Sequence, residues 1–403
     1  MESDTQQCPI CSKPEEPSTR YPRHVCHECS SKATSLDGRA LLFYNDHIWA
    51  GFGAKYADNG ELYASHECYI NGIKCYAEEA YLGGIVIQVV ENYKKDLYRG
   101  YWDYRKSNFS KQQSAFDRPD APSKRPPVFI PGESWRNIII NPEANPQEKR
   151  DLIELVPVGE RHKWFRSMSS SQALAQSILG NLKIYDALAI LSELKDDDGL
   201  DLIGKAQISS KNFDMEHKVN YLGEPRPTSL DGYVSGDYQI AIECKLSETE
   251  VGPCSRPGLK QTEREYCDGN FTIKPSRTER CPLIQRKVLY WQYVPILFSW
   301  KNDGDLIPCP LYKNYQLVRN ILAAGVKNGI VSAKNGHAIL IYDGRNPAFQ
   351  CNGEGEKAYF ETKEALIEPT MLRKCSWQRI VQSMREKEML PWLTKELKQK
   401  YGL

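Results

Sequence analysis

The sequence contains no apolar run of membrane-spanning length, and residues 1–7 lack the character of a secretory signal. It also lacks a strong charge of either sign, since the formal net charge is +1 in 403 residues. Overall charge therefore does not indicate a nucleic-acid-binding protein, and any basic surface has to be local. These absences predict a soluble cytoplasmic protein with no membrane partner, long enough for about two or three domains.

The chain does contain 13 cysteines, which in a cytoplasmic protein favour metal sites and buried thiols over disulfides. Cys8 and Cys11 form one Cys-x-x-Cys pair, Cys26 and Cys29 form another, and fourteen residues separate the pairs. Two such turns can close a tetrahedral thiolate site, which suits zinc best. A region this small cannot hold itself together by burial, so we predict a structural zinc ribbon or knuckle. Disulfides or free thiols are the alternative.

After the second Cys-x-x-Cys pair, short strand-like runs separated by turn residues predict a small β-rich domain. Asn59-Gly60 and Asn71-Gly72 are typical of hairpin turns between strands. We expect Cys68 and Cys75 to be buried thiols rather than metal ligands, because no second pair has metal-site spacing. The predicted strands are residues 40–44, 47–52, 62–64, 68–70 and 84–90.

Residues 93–111 interleave aromatic and basic side chains, a composition typical of nucleic-acid binding. The alternative is a helix whose aromatic residues pack inward while its lysines face water. Residues 116–157 are rich in proline, which predicts a connector ending in a strand at residues 152–156. Residues 169–182 have helical periodicity, with Ser169 or Ser170 as the N-cap.

The most informative stretch is residues 227–248, where two strand-like runs flank a Ser-Gly-Asp turn. In the second run, apolar and polar side chains alternate, so Glu243 and Lys245 leave the same face of a half-buried strand. The turn brings Asp231 beside them. Two carboxylates and an amine at a solvent-reachable sheet edge suit magnesium-dependent phosphodiester hydrolysis, because carboxylates hold Mg²⁺ and an amine orients or deprotonates water. An ordinary half-buried hairpin is the competing interpretation.

Asp231 followed by Glu243-Cys244-Lys245 resembles the signature of the PD-(D/E)XK nucleases, which have the restriction-endonuclease-like fold. Two flanking segments are more specific and resemble a bacterial group of restriction endonucleases in that superfamily. They are residues 165–176, Phe-Arg-Ser-Met-Ser-Ser-Ser-Gln-Ala-Leu-Ala-Gln, and the cysteine-bearing tract after Lys245. The resemblance covers roughly residues 161–403. It departs from the family at one position, since Ser229-Leu230 precede Asp231 where the superfamily has proline.

The resemblance implies that Asp231 and Glu243 ligate Mg²⁺ with the backbone carbonyl of Cys244, while Lys245 positions the attacking water. Two further acids are candidates for an auxiliary role, Glu193 on a predicted helix and Glu216 on a strand predicted beside that of Asp231, and Glu216 is favoured because of its strand. The implied substrate is double-stranded DNA, cleaved in restriction or another defence against foreign DNA, and a homodimer is compatible with this role. The rival hypothesis is a non-catalytic nucleic-acid- or protein-binding module, with the zinc region on an inactive nuclease scaffold.

The predicted fold class is α/β, an α+β mixed sheet in a restriction-endonuclease-like core, preceded by a small zinc-bound β-rich region. Within the core we expect an apolar helix, or a helix followed by a strand, at residues 283–298 and a helix at residues 315–325. We also expect a buried strand at residues 337–342 and two tail helices split at Pro391. The predicted domains are a zinc ribbon or knuckle (1–34), a β-rich domain with a basic-aromatic tail (35–112), a proline-rich connector (113–160) and a nuclease-like domain (161–403).

A second metal site is left open by the sequence. Cys254, Cys267 and Cys281 lie in a loop-rich stretch, with Cys309 or the more distant Cys375 as a fourth ligand. Their spacing matches no metal site that we can name.

Overall fold

The computed structural model describes residues 6–11, 13–18, 20–21, 23–45, 52–80, 84–90, 93–117, 125–275, 277–350 and 353–403. The chain forms two compact units. The first comprises Met1–Lys94 with Gly344–Glu356, and the second comprises Lys95–Asp343 with Lys357–Leu403. The four-part division expected from the sequence stays a prediction.

The first unit is rich in short antiparallel strands, as predicted. Its elements are β1 (Gln6–Gln7), β2 (Pro14–Glu15), α1 (His27–Ser30), β3 (Leu41–Asn45), β4 (Phe52–Tyr56), β5 (Glu67–Ile70), β6 (Ile73–Glu79) and β7 (Ile85–Val89). They pair as β1-β2, β3-β4 and β5-β6-β7. Apart from Phe52, the strand predicted at residues 47–52 lies outside the described residues.

The hairpin between β5 and β6 follows directly from its turn residues. Asn71 and Gly72 have φ angles of 51° and 79°, the left-handed values that a two-residue hairpin turn needs and that Asn-Gly adopts readily. The turn sets Cys68 opposite Cys75, and both thiols are fully buried. They are the buried thiols that the sequence predicts.

The second unit is organised around a five-stranded mixed sheet. The described strands of this unit are β8 (Phe213–Val219), β9 (Thr228–Val234), β10 (Gln239–Cys244), β11 (Val326–Lys327), β12 (Ile330–Val331), β13 (Gly336–Tyr342) and β14 (Leu372–Ser376). The sheet order is β14-β13-β10-β9-β8, while β11 and β12 form a separate hairpin. β14, β13 and β10 run parallel, whereas β9 is antiparallel to both of its neighbours. This mixed α/β sheet confirms the predicted fold class.

The described residues also form α-helices. They are α2 (Tyr93–Asn108), α3 (Pro146–Glu154), α4 (Ser171–Ala175), α5 (Asn181–Ile184), α6 (Pro282–Gln285), α7 (Tyr290–Leu297), α8 (Leu311–Gly325), α9 (Glu354–Ala365), α10 (Trp377–Glu386) and α11 (Pro391–Tyr401). A π-helical segment, Gln176–Gly180, joins α4 to α5. Ser170 is the N-cap of α4, and its side chain accepts the backbone N–H of Ala173. The tail helices split at Pro391, as predicted.

β10 is buried along its whole length, so the prediction of a half-buried strand with a polar outer face is wrong. β10 lies in the middle of the sheet, with β9 on one side and β13 on the other. α8 packs against both β10 and β13. Strands in the parallel part of a sheet are covered on both faces, which alternation alone did not reveal.

The strand predicted at residues 152–156 is also wrong, because α3 occupies most of it. The Asn145 side chain caps this helix, and the Glu148 carboxylate accepts the backbone N–H of Asn145, forming a capping box. Pro146 is in the first turn, where proline favours a helix instead of breaking it. The density of prolines concealed this start signal.

The aromatic residues of α2 pack inward. Tyr101 is fully buried, and the Trp102 indole N–H donates to the Arg125 carbonyl at 2.9 Å. The Arg105 guanidinium lies 4.2 Å from the centroid of the Phe116 ring. The packing alternative for this segment therefore describes the structure, and these rings are not displayed for base stacking.

We expect Tyr101→Ala to destabilise the second unit by about 3 kcal/mol, because it leaves a cavity where a large ring was buried. Lys106→Ala, at an exposed position of the same helix, is the control and should leave the urea midpoint unchanged. Chemical unfolding followed by circular dichroism makes the comparison. Equal midpoints for both variants would contradict the inward packing.

Candidate active site and zinc centre

Four cysteine sulfur atoms converge in the first unit. The Sγ atoms of Cys8, Cys11, Cys26 and Cys29 all lie within 4.8 Å of one another. The backbone N–H of Cys26 donates to Cys8 Sγ at 3.3 Å. Burial acts to raise the pKa of the Cys8 thiol, but backbone hydrogen bonds, the strongest from Cys26, outweigh it and lower that pKa. Because N–H groups aimed at sulfur favour thiolate and four thiolates suit tetrahedral Zn²⁺, the cluster fits the predicted zinc knuckle.

Three carboxylates of the second unit lie in one row across β8, β9 and β10. Extending the β9–β10 register by one residue beyond the Gly232–Ile242 pair sets Asp231 opposite Glu243. In the β8–β9 ladder, Glu216 falls opposite Asp231, at the position where the pairing is interrupted. Residues directly opposite each other project from the same face of a sheet. We call Glu216, Asp231 and Glu243 the carboxylate row.

Glu243 is held from two sides. Lys245 Nζ lies 2.7 Å from Glu243 Oε1, and Asn320 Nδ2 of α8 donates to Oε2 at 2.8 Å. Lys245 also donates to Gln316 Oε1 of α8 at 2.8 Å. Burial acts to raise the pKa of Glu243, but the positive charges of Lys245 and Arg319 outweigh it and lower that pKa. Glu243 is therefore an ionised carboxylate at neutral pH.

Asp231 sits between the other two carboxylates of the row. Its Oδ2 accepts the backbone N–H of Cys244 at 2.7 Å. Burial raises the pKa of Asp231 well above its usual range, and the negative charges of Glu243 and Glu216 raise it further. Lys245 and the Cys244 N–H offset only part of this effect. The position therefore favours the binding of a proton or a cation.

Glu216 completes the row in an unusual backbone conformation. Gln172 Nε2 of α4 donates to its Oε1 at 2.6 Å, and Ser229 Oγ donates to its Oε2 at 2.7 Å. Burial raises the pKa of Glu216 despite these hydrogen bonds. Its φ angle of 49° is uncommon outside glycine, and such strain persists mainly at functional positions.

The row is more enclosed than the solvent-reachable edge that the sequence predicts. Glu243 is 5% exposed and Lys245 is 6% exposed, whereas Asp231 is partly exposed. The difference arises because α8 supplies partners to Glu243 and Lys245, and Trp377 Nε1 donates to the Lys245 carbonyl at 3.0 Å. Asp231 is thus the member of the trio Asp231, Glu243 and Lys245 that solvent reaches most easily.

Cys244 contributes through its backbone. Its N–H orients Asp231, as described above, while its thiol is buried. Burial raises the pKa of this thiol well above its usual range, and the negative charge of Asp231 adds to the effect. The sulfur is therefore a neutral thiol, and a ligand role for the Cys244 carbonyl stays a prediction.

Sequence reasoning missed the residues of α8 that serve the row. Gln316, Arg319 and Asn320 are spaced i, i+3, i+4, which puts them on one face of the helix. The rest of α8 near them is apolar and buried. These three polar residues lie at helical spacing in an apolar part of the helix, and this pattern could have indicated a buried polar site. Nothing nearby in sequence links them to Glu243.

The serine-rich segment, residues 165–176, also contacts the chain just after β10. Ser169 Oγ lies 2.7 Å from Ser247 Oγ. Ser171 Oγ donates to Glu248 Oε1 at 2.5 Å. The two segments that carry the resemblance to restriction endonucleases therefore meet beside the carboxylate row.

We expect Cys8→Ser combined with Cys11→Ser to remove one zinc ion per chain. X-ray absorption of the native protein should give Zn–S distances of about 2.3 Å. Chelation should melt the knuckle but not the second unit, because only the knuckle depends on metal for its folding. Cys75→Ala, at a buried thiol outside the cluster, should keep this zinc. Native protein without zinc and with all four thiols freely titratable would contradict the assignment.

We expect Asp231→Asn to stabilise the protein near pH 8 when no divalent cation is added. The amide keeps an oxygen acceptor for Cys244 while removing a partly buried charge beside two other carboxylates. A carboxyl whose folded pKa is raised contributes stability at low pH and loses it as pH rises through the folded pKa. The melting temperatures of variant and native protein should therefore converge near pH 4 and separate as pH rises.

The control for this measurement is Asp237→Asn in the turn between β9 and β10, whose side chain is exposed and which should match the native protein at each pH. A lower melting temperature for Asp231→Asn near pH 8 would contradict the charge argument.

No helix among the described residues is long and apolar enough to span a membrane. No curated protein and no solved structure matches the chain. A family model described as Restriction Endonuclease associating with ARP matches residues 104–402, more than half of the chain. The match includes β8, β9 and β10 with the whole carboxylate row. It confirms the resemblance drawn from the sequence: the chain belongs to the family of restriction endonucleases associating with ARP, and residues 104–402 form a restriction-endonuclease-like region.

Proposed function

We propose that this protein is a metal-dependent endonuclease that hydrolyses phosphodiester bonds of double-stranded DNA. The observation that carries the proposal is the alignment of Asp231 with Glu243 on adjacent strands, with Lys245 paired to Glu243. Membership of a restriction endonuclease family supports the same chemistry and favours it over a non-catalytic binding module. The biological role that fits is restriction or another defence against foreign DNA.

Asp231 and Glu243 would hold Mg²⁺, with the Cys244 backbone carbonyl as a third oxygen ligand. The donor set fits this ion, since Mg²⁺ prefers carboxylate and carbonyl oxygens. Burial raises the pKa of Asp231, and the negative charges of Glu243 and Glu216 raise it further. A raised pKa of this origin indicates a site that lacks compensating positive charge. When bound, Mg²⁺ would polarise the scissile phosphate and stabilise charge developing on its oxygens.

Lys245 would orient the attacking water. Burial acts to lower the pKa of its ammonium, but the charges of Glu243 and Glu248 outweigh it and raise that pKa. Lys245 is thus protonated at neutral pH and acts as a hydrogen-bond donor, which favours the orienting role over deprotonation of water. Gln316 accepts a second hydrogen bond from the ammonium and, together with Glu243, holds it in place.

Glu216 would be an auxiliary carboxylate next to Asp231. Gln172 and Ser229 occupy one oxygen each with hydrogen bonds, so it is fixed in place rather than free to rotate. We propose that it adds negative charge to the cation site and accepts a hydrogen bond from the attacking water.

DNA is the proposed substrate, and the family description adds an association with ARP that we extend to this chain as part of the proposal. We also propose that the protein acts as a homodimer, in which each copy of the chain places its carboxylate row at one strand of the DNA. The cation's own charge would offset repulsion between the row and the phosphates.

The test is incubation of supercoiled plasmid DNA with the full chain and Mg²⁺. We expect nicked and linear products from the native protein, and at least about 100-fold slower cleavage by Lys245→Ala and by Asp231→Asn. Asp237→Asn, an exposed acid in the hairpin turn that joins the same two strands, is the matched control and should cleave at the native rate.

Cleavage that needs no divalent cation, or that survives in both site variants, would contradict the proposed site. A native protein that binds plasmid DNA without cutting it in Mg²⁺ would instead support the non-catalytic module.

A further inference from the structure

Residues 245–281, between β10 and α6, form a long segment with little regular secondary structure, which we call the irregular segment. Between β10 and α6, the described residues contain one short 3₁₀ turn, Arg256–Gly258, as their regular helical structure. Irregular segments of this length are uncommon in compact domains unless they are functional or otherwise fixed. Three cysteines lie in or at the end of this segment, and a fourth, Cys309, lies just before α8.

These four cysteines line one small cavity. Cys254, Cys267, Cys281 and Cys309 all contribute to its wall, together with Arg256 and several apolar side chains. Its volume is about 20 Å³, close to that needed for a single water-sized sphere. All four are free thiols in this structure. A cavity of this size accommodates one ion but not a cluster of several metal atoms.

The backbone around these cysteines repeats the pattern of the N-terminal zinc cluster. Cys8 receives backbone hydrogen bonds from the residues two and three positions later, Ile10 and Cys11. Cys281 receives them from the corresponding Leu283 and Ile284. Backbone N–H groups aimed at sulfur stabilise a thiolate, the form that binds metal.

The pattern recurs at two further cysteines of the cavity. Cys254 receives a backbone hydrogen bond from Arg256, and Cys309 receives one from Leu311, again two positions later. Three of the four thiols thus have backbone N–H groups that favour a thiolate, but burial in an apolar cavity outweighs them and raises the pKa of each thiol. A cation in the cavity would resolve this conflict.

We propose that Cys254, Cys267, Cys281 and Cys309 bind a second structural Zn²⁺ ion with four thiolates. Among the described residues, only the N-terminal cluster has sulfur atoms gathered within 4.8 Å, so the metal would draw these four inward by rotation about their Cα–Cβ bonds. Arg256 lies in the cavity wall, and its guanidinium is ion-paired with Glu265. This inference is independent of the proposed nuclease chemistry.

The site would fix the start of the helix that serves the carboxylate row. The Cys254 N–H donates to the Tyr312 carbonyl at 2.7 Å, and the Cys309 N–H donates to the Gly269 carbonyl at 2.8 Å. One turn further along α8, Gln316 accepts from Lys245. Zinc at this position would therefore anchor both the irregular segment and the helix end nearest to Lys245.

The experiment is metal analysis of the full chain by inductively coupled plasma mass spectrometry. We expect about two zinc ions per native chain, and about one in each of two double variants, Cys8→Ser with Cys11→Ser and Cys267→Ser with Cys281→Ser. Cys375→Ala, at a buried thiol that does not line the cavity, is the matched control and should keep both ions.

The first double variant keeps the test decisive even if the second fails to fold, because it leaves all four cavity cysteines intact. Zinc-free protein from that variant would overturn the proposal. If the purified protein instead contained iron and absorbed visible light, the four cysteines would hold an iron–sulfur cluster and not a single zinc ion. This result would also overturn the proposal. A disulfide between any two of the four cysteines, detected by mass spectrometry after alkylation, would have the same consequence.

Discussion

The constraint on which the second unit depends is the burial of three carboxylates side by side. Unpaired buried charge is very unfavourable, so each carboxylate needs partners. Glu243 has Lys245 and α8, Asp231 has the Cys244 N–H, and Glu216 has Gln172 and Ser229. The partners come from distant parts of the chain, which ties α4, α8 and the sheet together. A divalent cation would relieve what these partners leave uncompensated.

α8 links this row to the irregular segment beside it. Its first turn touches the cysteine-lined cavity, its middle carries Gln316, and its next turn carries Asn320 against Glu243. The helix also covers the row, which explains why Glu243 and Lys245 are almost inaccessible. Stability of the helix end and access to the carboxylates are therefore properties of the same element.

Local chemistry was predictable from the sequence, whereas long-range partners were not. The Ser-Gly-Asp turn sets the register of β9 and β10, so the proximity of Asp231 to Glu243 followed from the pattern. The convergence of Cys8, Cys11, Cys26 and Cys29 followed in the same way from their spacing. Asn320 lies 77 positions from Glu243, and no local rule connects them. Burial of β10 depends on β13 beside it in the sheet and on α8 packed against it. α3 was missed because the proline-rich segment was interpreted as a connector.

The most direct measurement of the central claim, that Asp231 and Glu243 form one divalent-cation site, is titration of the full chain with Mn²⁺ followed by electron paramagnetic resonance. We expect one saturable site that either Asp231→Asn or Glu243→Gln weakens by at least about tenfold, while Asp237→Asn leaves it unchanged. Binding that is equally strong in the native protein and in both site variants would contradict a shared site, since the cation would then lie elsewhere.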